Sequence, residues 1–352
     1  MCWPFEEVHA GTEGFSHSLQ VGEGGFGVVY RATMRNIDCA VKRLKQDCLL
    51  DWALLKESFQ TEVDKLSKFR HPNIVDLLGF SEGRGSVCLI YSYMDNRSLE
   101  DQLHDEYVSL LWPQRVAVVE GASAALQFLH SPPEGHAALI HGDVKSSNIL
   151  LDRHLVAKLA DFGLARCASH GGSLVLLEVL TGRRALEKDR KSRDRYLKDL
   201  VEEVEDGPSG SSPAAWRKQL DQRLITGGAA EPAGCMEMVA LACRCLDKNR
   251  KKRPAMTKVF DKLKDIHNTV KTSSCSSAPR QYSHLQPPSQ SFPRPPRPMD
   301  SSVGTLSQQM SKLGPLEDTY QPSHFSFCFL TPPHPLHSSS SLSSSSSSSS
   351  VR

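Results

Sequence analysis

Apolar and polar positions alternate along residues 28–42. Val28, Tyr30 and Ala32 share one face, Val29 and Arg31 the other, and after a turn at Arg35-Asn36 the run Ile37-Asp38-Cys39-Ala40-Val41-Lys42 resumes the pattern. A period of two predicts half-buried strands. The period then changes. Trp52, Leu55, Phe59, Val63 and Leu66 recur every three or four residues, which is one face of an amphipathic helix. Pro72 disfavours helix at His71 and so ends it. Val87 to Tyr91 is another short apolar strand. Beyond it helical spacing takes over. Ser98 and Asp101 predict a helix start, because a hydroxyl cap and an early acid suit the free amides there. Val116, Val119, Ala122, Leu126 and Phe128-Leu129 predict a buried helix face. Strands around one helix, followed by a larger helical part, predict an α+β, two-lobed plan.

Composition changes that picture at one end. Residues 271–352 hold 25 Ser and 12 Pro, with six Lys/Arg and three Asp/Glu. Such a segment buries too little apolar area to offset chain entropy, so a disordered Ser/Pro-rich tail is expected there. Glu205 to Pro213 reads as a polar loop within the folded part. The whole chain of 352 residues carries 42 Lys+Arg against 40 Asp+Glu, a net charge of +2. That balance argues against a nucleic-acid partner. The longest near-apolar run, Leu174 to Leu180, is too short to insert into a membrane. No signal peptide is visible at Met1 to Ala10. Ten Cys without Cys-x-x-Cys spacing predict free thiols in a reducing compartment, hence a cytoplasmic location.

Four motifs carry chemistry. The first is Gly22-Glu23-Gly24-Gly25-Phe26-Gly27-Val28-Val29. Glycines let backbone amides approach phosphate closely. A dinucleotide fingerprint would open a helix, whereas here a strand follows, which suits a lid over nucleotide phosphates. The second motif is Cys39-Ala40-Val41-Lys42, with Glu62 twenty residues on, beside the buried helix stripe. A lysine that reaches phosphate needs an opposing carboxylate to fix its long stem. The third is His141-Gly142-Asp143-Val144-Lys145-Ser146-Ser147-Asn148-Ile149-Leu150-Leu151, and the fourth is Asp161-Phe162-Gly163. Asp143 could accept a hydroxyl proton, and Asn148 and Asp161 could hold magnesium. Four such motifs in this order are highly specific.

The set resembles a eukaryotic protein kinase, with a small β-rich N-lobe and a larger helical C-lobe. In wording it is similar to the interleukin-1 receptor-associated kinases among the tyrosine-kinase-like Ser/Thr kinases. The resembling stretches are VGEGGFGVVYRATMRN, CAVKRLK, FRHPNIVDLLG, YSYMDNRSLEDQL and HGDVKSSNILLD, and His-Gly-Asp is similar to the first member of that family. The resemblance implies a kinase domain over 15–270, with the N-lobe at about 15–94, the C-lobe at about 95–270, and a tail at 271–352. It implies Asp143 as catalytic base and Lys145 as the cation that neutralises transferring phosphate. Asn148 and Asp161 would hold Mg²⁺. Val21, Gly22, Glu23, Gly24, Gly25, Phe26, Gly27, Val28, Val29 and Lys42 would line the ATP phosphates, with Glu62 supporting Lys42. Ala40 and Leu150 would sandwich adenine with Val29, and Tyr91 would be the gatekeeper before a hinge at Ser92-Tyr93-Met94. Protein substrates and receptor-proximal adaptor kinases are the implied partners. The family's death domain has no counterpart in these residues.

Two departures qualify that expectation. Gly142 stands where many kinases carry an arginine that binds an activation-loop phosphate. Nine residues after Asp161-Phe162-Gly163 the chain enters Ser173-Leu-Val-Leu-Leu-Glu-Val-Leu-Thr-Gly182, which resembles the central C-lobe helix. The activation loop and the Pro-Glu anchor of relatives are missing between them. Arg253, the expected partner of that anchoring Glu, should lack it, and rearrangement or exposure is expected there. The C-lobe is therefore read as incomplete, and a nucleotide-binding pseudokinase or scaffold is the alternative function. In the tail, Pro315-Leu316-Glu317-Asp318-Thr319-Tyr320 resembles the peptide taken up by adaptors of the tumour-necrosis-factor-receptor-associated factor family. Pro293-x-x-Pro296 is a weaker SH3-type ligand.

Overall fold

A computed structural model describes residues 1–276 except 25–26, 45–51, 106, 108, 133, 135–136, 166–172, 189–193 and 226–230, and except the side chains of Trp52, Leu54, Ser173 and 274–276. Gly25, Phe26, the Trp52 side chain, the tail motifs at Pro293–Pro296 and Pro315–Tyr320, and the tail from 277 onward lie outside the described residues. The described residues belong to one compact unit, Met1–Gln281.

The chain opens with helix α1 (Phe5–Gly11) and enters an antiparallel sheet of β1 (Gln20–Gly24), β2 (Gly27–Met34), β3 (Ile37–Leu44), β4 (Leu77–Gly83) and β5 (Ser86–Ser92), in the order β1-β2-β3-β5-β4. The alternation along 28–42 is the β2–β3 ladder, which closes with Met34 opposite Ile37. The intervening Arg35 and Asn36 have φ of 52° and 60°, the left-handed pair that matches the twist of a two-residue hairpin. Arg35 holds this uncommon conformation while clamped. Its guanidinium lies 2.6 Å from Glu7 and 4.0 Å above the Trp3 ring.

Both faces of the sheet are covered. Trp3 and Val8 pack with Ala32, Met34, Cys39, Val41, Cys88 and Ile90 on one side. Helix α2 (Trp52–Lys68) covers the other, burying Leu55, Phe59 and Leu66 as the spacing predicts. The packed N-lobe thus begins before residue 15, because Trp3, Phe5 and Val8 are core residues. Strand β4 carries no clear alternation in Leu77-Leu-Gly-Phe-Ser-Glu-Gly83, and pairing with β5 rather than local pattern forms it.

The C-lobe starts at α3 (Leu99–His104). Ser98 and Asp101 form a reciprocal capping box there, Ser98 Oγ accepting from the Asp101 N–H at 3.1 Å. Next come α4 (Trp112–His130), the short hairpin of β6 (Ile149–Leu151) and β7 (Ala157–Leu159), and α5 (Ser173–Thr181). A second hairpin, β8 (Leu186–Lys188) with β9 (Asp194–Tyr196), leads to α6 (Leu200–Glu205) and α7 (Pro213–Arg217), on either side of the predicted polar loop. Helices α8 (Cys235–Cys245) and α9 (Met256–Ser276) complete the lobe. α9 continues past residue 270 because Ile266 and Val270 are buried in the core. The lobes share one chain crossing, stapled by Asn96 N–H to Leu151 O at 3.1 Å and Leu151 N–H to Arg97 O at 2.8 Å.

A buried ion pair organises the C-lobe centre. Arg115 on α4 is fully buried; its Nη2 donates to Asp221 Oδ2 at 2.7 Å, its Nη1 to Val179 O at 2.8 Å and its Nε to Leu110 O at 3.0 Å. One guanidinium thereby ties α4, α5 and the segment after α7 together. α5 buries one acid, Glu178, which accepts from Ser146 Oγ at 2.9 Å. Burial pushes the Glu178 carboxyl up to about 7, with the nearby Glu100 charge adding and the Ser146 hydrogen bond opposing.

Two outcomes follow. Asp221→Ala leaves the Arg115 charge buried without its counter-ion and should cost roughly 3–5 kcal/mol in chemical denaturation. Arg115→Met, which removes the charge as well, should cost less than half of that if the charge rather than packing dominates. For Glu178, a folded pKa of about 7 above an ordinary 4.5 means that the native state holds a proton that the unfolded state releases. Stability then falls as pH rises from 4.5 through 7. Denaturation at pH 5 and pH 8 should show this loss, on the order of 3 kcal/mol, and Glu178→Gln should flatten it.

Candidate functional site: a nucleotide cleft between the lobes

Lys42 projects from β3, two residues before the strand ends, while Glu62 sits on the buried face of α2 and Asp161 follows β7. The fold brings them together. Lys42 Nζ lies 3.4 Å from Glu62 Oε2 and 3.2 Å from Asp161 Oδ1. The other Glu62 oxygen accepts the backbone N–H of Phe162 at 3.4 Å. A single carboxylate from α2 therefore holds both the lysine and the backbone of Asp161-Phe162-Gly163. Burial alone would lower the Lys42 pKa, but the two carboxylates outweigh it and hold the ammonium charged, above its ordinary range. Burial likewise opposes ionisation of Asp161, and Lys42 overcomes it, so that Asp161 is an anion at neutral pH.

Asp161 has a φ of +67°, a conformation that costs a non-glycine residue free energy and persists only where its surroundings fix it. Those surroundings are specific. Phe162 is fully buried, with its ring 4.6 Å from the His141 ring. At Gly163 a Cβ would come within 2.1 Å of Ser58 Oγ on α2, so a larger residue there would require that hydroxyl to turn away.

His141 shows how the loop that carries Asp143 is fixed. The backbone N–H of Asp143 donates to His141 Nδ1 at 3.3 Å, so the proton resides on Nε2 and is donated to Ala160 O at 2.9 Å. Burial lowers the imidazole pKa and keeps the ring neutral. Gly142 has a φ of +86°, and a Cβ there would lie 2.6 Å from Leu164 O. The missing arginine at this position is thus matched by a backbone that favours glycine.

Asp143, Lys145 and Asn148 converge. Lys145 Nζ lies 2.8 Å from Asp143 Oδ2, and Asn148 Nδ2 donates to Asp143 Oδ2 at 3.0 Å and to Asp143 O at 2.9 Å. These bonds orient the carboxylate and commit the amide nitrogen of Asn148, leaving its carbonyl oxygen as the free donor atom. With Asp161 Oδ1 on Lys42, Asp161 Oδ2 is the second. Two hard oxygens fit Mg²⁺, which keeps waters and takes phosphate oxygens for its other positions. No cluster of three or more acidic, His or Cys ligands occurs among the described residues.

The remaining sequence-predicted residues line the strands around this centre. Val21, Gly22, Glu23 and Gly24 are on β1, and Gly27, Val28 and Val29 on β2, with Gly24 opposite Gly27. Ala40 pairs with Tyr91 across β3 and β5. Tyr91 and Met94 are buried. Burial raises the Tyr91 phenol well above its usual range, and the nearby Glu62 charge adds to it. Leu150 on β6 bridges to Ser98. Sequence reasoning missed the backbone role of Gly142 and the Glu178–Ser146 contact beside Lys145. Buried charge in a run as apolar as Leu174–Leu180 was the one available signal for Glu178.

Arg253 has no carboxylate partner among the described residues; its Nε donates to Asp247 O at 2.8 Å and it is half-buried. The described cysteines Cys2, Cys39, Cys88, Cys235, Cys243 and Cys245 are free thiols. No helix is long and apolar enough to cross a membrane among the described residues.

Comparison with known proteins agrees with this fold. The family model for protein tyrosine and serine/threonine kinases matches residues 15–175. Interleukin-1 receptor-associated kinase 1 of Bos taurus is 38% identical over 91% of this chain and 51% of its own length. Its counterpart in Mus musculus is 39% identical over 75% of this chain and 46% of its own length. Phytosulfokine receptor 2 of Arabidopsis thaliana is 33% identical over 74% of the chain and 27% of its own length. The chain spans about half the length of the two interleukin-1 receptor-associated kinases. The alignment with the Bos taurus protein runs over 387 positions, more than the 352 residues of this chain, so that protein has residues with no counterpart here. The chain belongs to the protein kinases, and over most of its length it is similar to the interleukin-1 receptor-associated kinases.

Proposed function

We propose that this chain binds Mg·ATP between its lobes and is, by lineage, a cytoplasmic kinase that transfers the ATP γ-phosphate to Ser or Thr hydroxyls of protein substrates in interleukin-1 and Toll-like receptor signalling. The observation that carries the reading is the joint hold of Glu62 on Lys42 and Phe162, with Asp161 against the same lysine. Lys42 would orient phosphate oxygens. Asn148 and Asp161 would hold Mg²⁺, which when bound neutralises charge on the phosphates. Asp143, oriented by Lys145 and Asn148, would accept the substrate hydroxyl proton, and Lys145 would stabilise charge on the transferring group. Little covalent chemistry is asked of the protein; positioning is its main contribution.

A second reading has its own observation. Only Arg166 to Gly172 separate Ala165 from α5, too few residues for the peptide platform that relatives place there. The chain then serves as a nucleotide-binding scaffold, and complete relatives perform the transfer. Receptor-proximal kinases, and an adaptor of the tumour-necrosis-factor-receptor-associated factor family bound through Pro315-Leu316-Glu317-Asp318-Thr319-Tyr320, are the partners proposed for either reading.

Calorimetric titration of Mg·ATP into the chain should give saturable binding, and Lys42→Met should abolish it while the variant keeps a cooperative thermal transition. Undiminished affinity in that variant would overturn the nucleotide site. Phosphotransfer to a protein substrate should run at least about tenfold below interleukin-1 receptor-associated kinase 1 in kcat/KM, with Asp143→Asn as the blank. Equal rates would contradict the role given to the missing segment.

A further inference from the structure

A cavity of ≈ 430 Å³ adjoins the catalytic loop at Ile140 and Val144. Its walls include Ala122 and Leu126 of α4, Val175 and Leu176 of α5, and Val259 and Leu263 of α9. Each of these six residues is buried. Arg253, just before α9, lines the same cavity. Its Nε is bonded to Asp247 O, while its two terminal nitrogens have no partner and no carboxylate among the described residues. A half-buried guanidinium without an anion is costly, and an unfilled apolar lining forgoes dispersion contacts.

The segment that leads into α5 cannot supply what is missing. Arg166 to Gly172, which lead into α5, contain no carboxylate and no large apolar side chain. The volume lies within the range of small-ligand sites, and the lining has their character, mostly apolar with the half-buried Arg253 and the exposed Arg250 as its charges.

We infer that this cavity is a binding site for a small amphiphilic carboxylate. Its apolar body lies among α4, α5 and α9, and its carboxylate pairs with the fork of Arg253. A planar fork suits a carboxylate and gives nothing to an alcohol or an amine of the same length.

The test uses the full chain without nucleotide, so its failure would leave the ATP reading standing. Dodecanoate, kept below its micelle concentration, is titrated calorimetrically beside dodecanol. Saturable one-to-one binding of dodecanoate is expected, with dodecanol at least tenfold weaker. Arg253→Met should bring dodecanoate down to the level of dodecanol and leave dodecanol unchanged. Failure of dodecanoate to saturate, equal affinity for the acid and the alcohol, or unchanged dodecanoate affinity in Arg253→Met would each overturn the site. The acid–alcohol comparison on the unsubstituted chain decides the matter even if Arg253→Met does not fold.

Discussion

One buried carboxylate carries the cleft. Glu62 is almost wholly removed from solvent and divides its two oxygens between Lys42 on the sheet and the Phe162 amide of the C-lobe. An unpaired carboxylate at that depth would cost several kcal/mol, so the site tolerates Glu62 only with both partners present. That demand fixes the position of α2 against the sheet, and with it the distance from β3 to Asp161-Phe162-Gly163. Asp161 in turn accepts a positive φ because Phe162 is packed on His141 and Gly163 lies against Ser58. On the proposed reading, the phosphate-facing and metal-facing groups are thus set by packing in two lobes before any nucleotide arrives. This is the pre-organisation that phosphoryl transfer requires of a protein.

The C-lobe makes the same use of a different charge. Arg115 bonds two carbonyls and Asp221 and holds α4 to α5 without any residue from between Gly163 and α5. Glu178, one turn from Val175, bonds Ser146 beside the catalytic loop. The scaffold under Asp143 and Asn148 therefore survives the short connection of residues 166–172. On the proposed reading, what the short connection removes is surface for a peptide, and Arg253 has no carboxylate partner among the described residues. On the proposed reading nucleotide binding and peptide phosphorylation are separable, because different parts of the chain would support them.

Much of this was legible in the residues. The β2–β3 hairpin, the α2 stripe, the Ser98 cap and the face of α4 follow from period and capping chemistry, which act locally. The cleft residues were legible because their types and order admit few other uses. The rest depends on contacts distant in sequence. Strand β4 forms by pairing with β5, and α1 is defined by Trp3 and Val8 meeting the far face of the sheet. Arg115 reads as a surface cation in a helix until Asp221 arrives from 106 residues away. The φ of Gly142 is likewise set by the approach of Leu164, which no local pattern reveals.

The central claim is that Glu62, through Lys42 and Phe162, assembles the proposed nucleotide site. Calorimetric titration of Mg·ATP into Glu62→Gln, which keeps shape and removes the charge, tests this most directly. The account predicts at least a tenfold loss of affinity against the unsubstituted chain at the same pH. Equal affinity in the two would show that Lys42 and Asp161 hold the nucleotide without Glu62, and would contradict it.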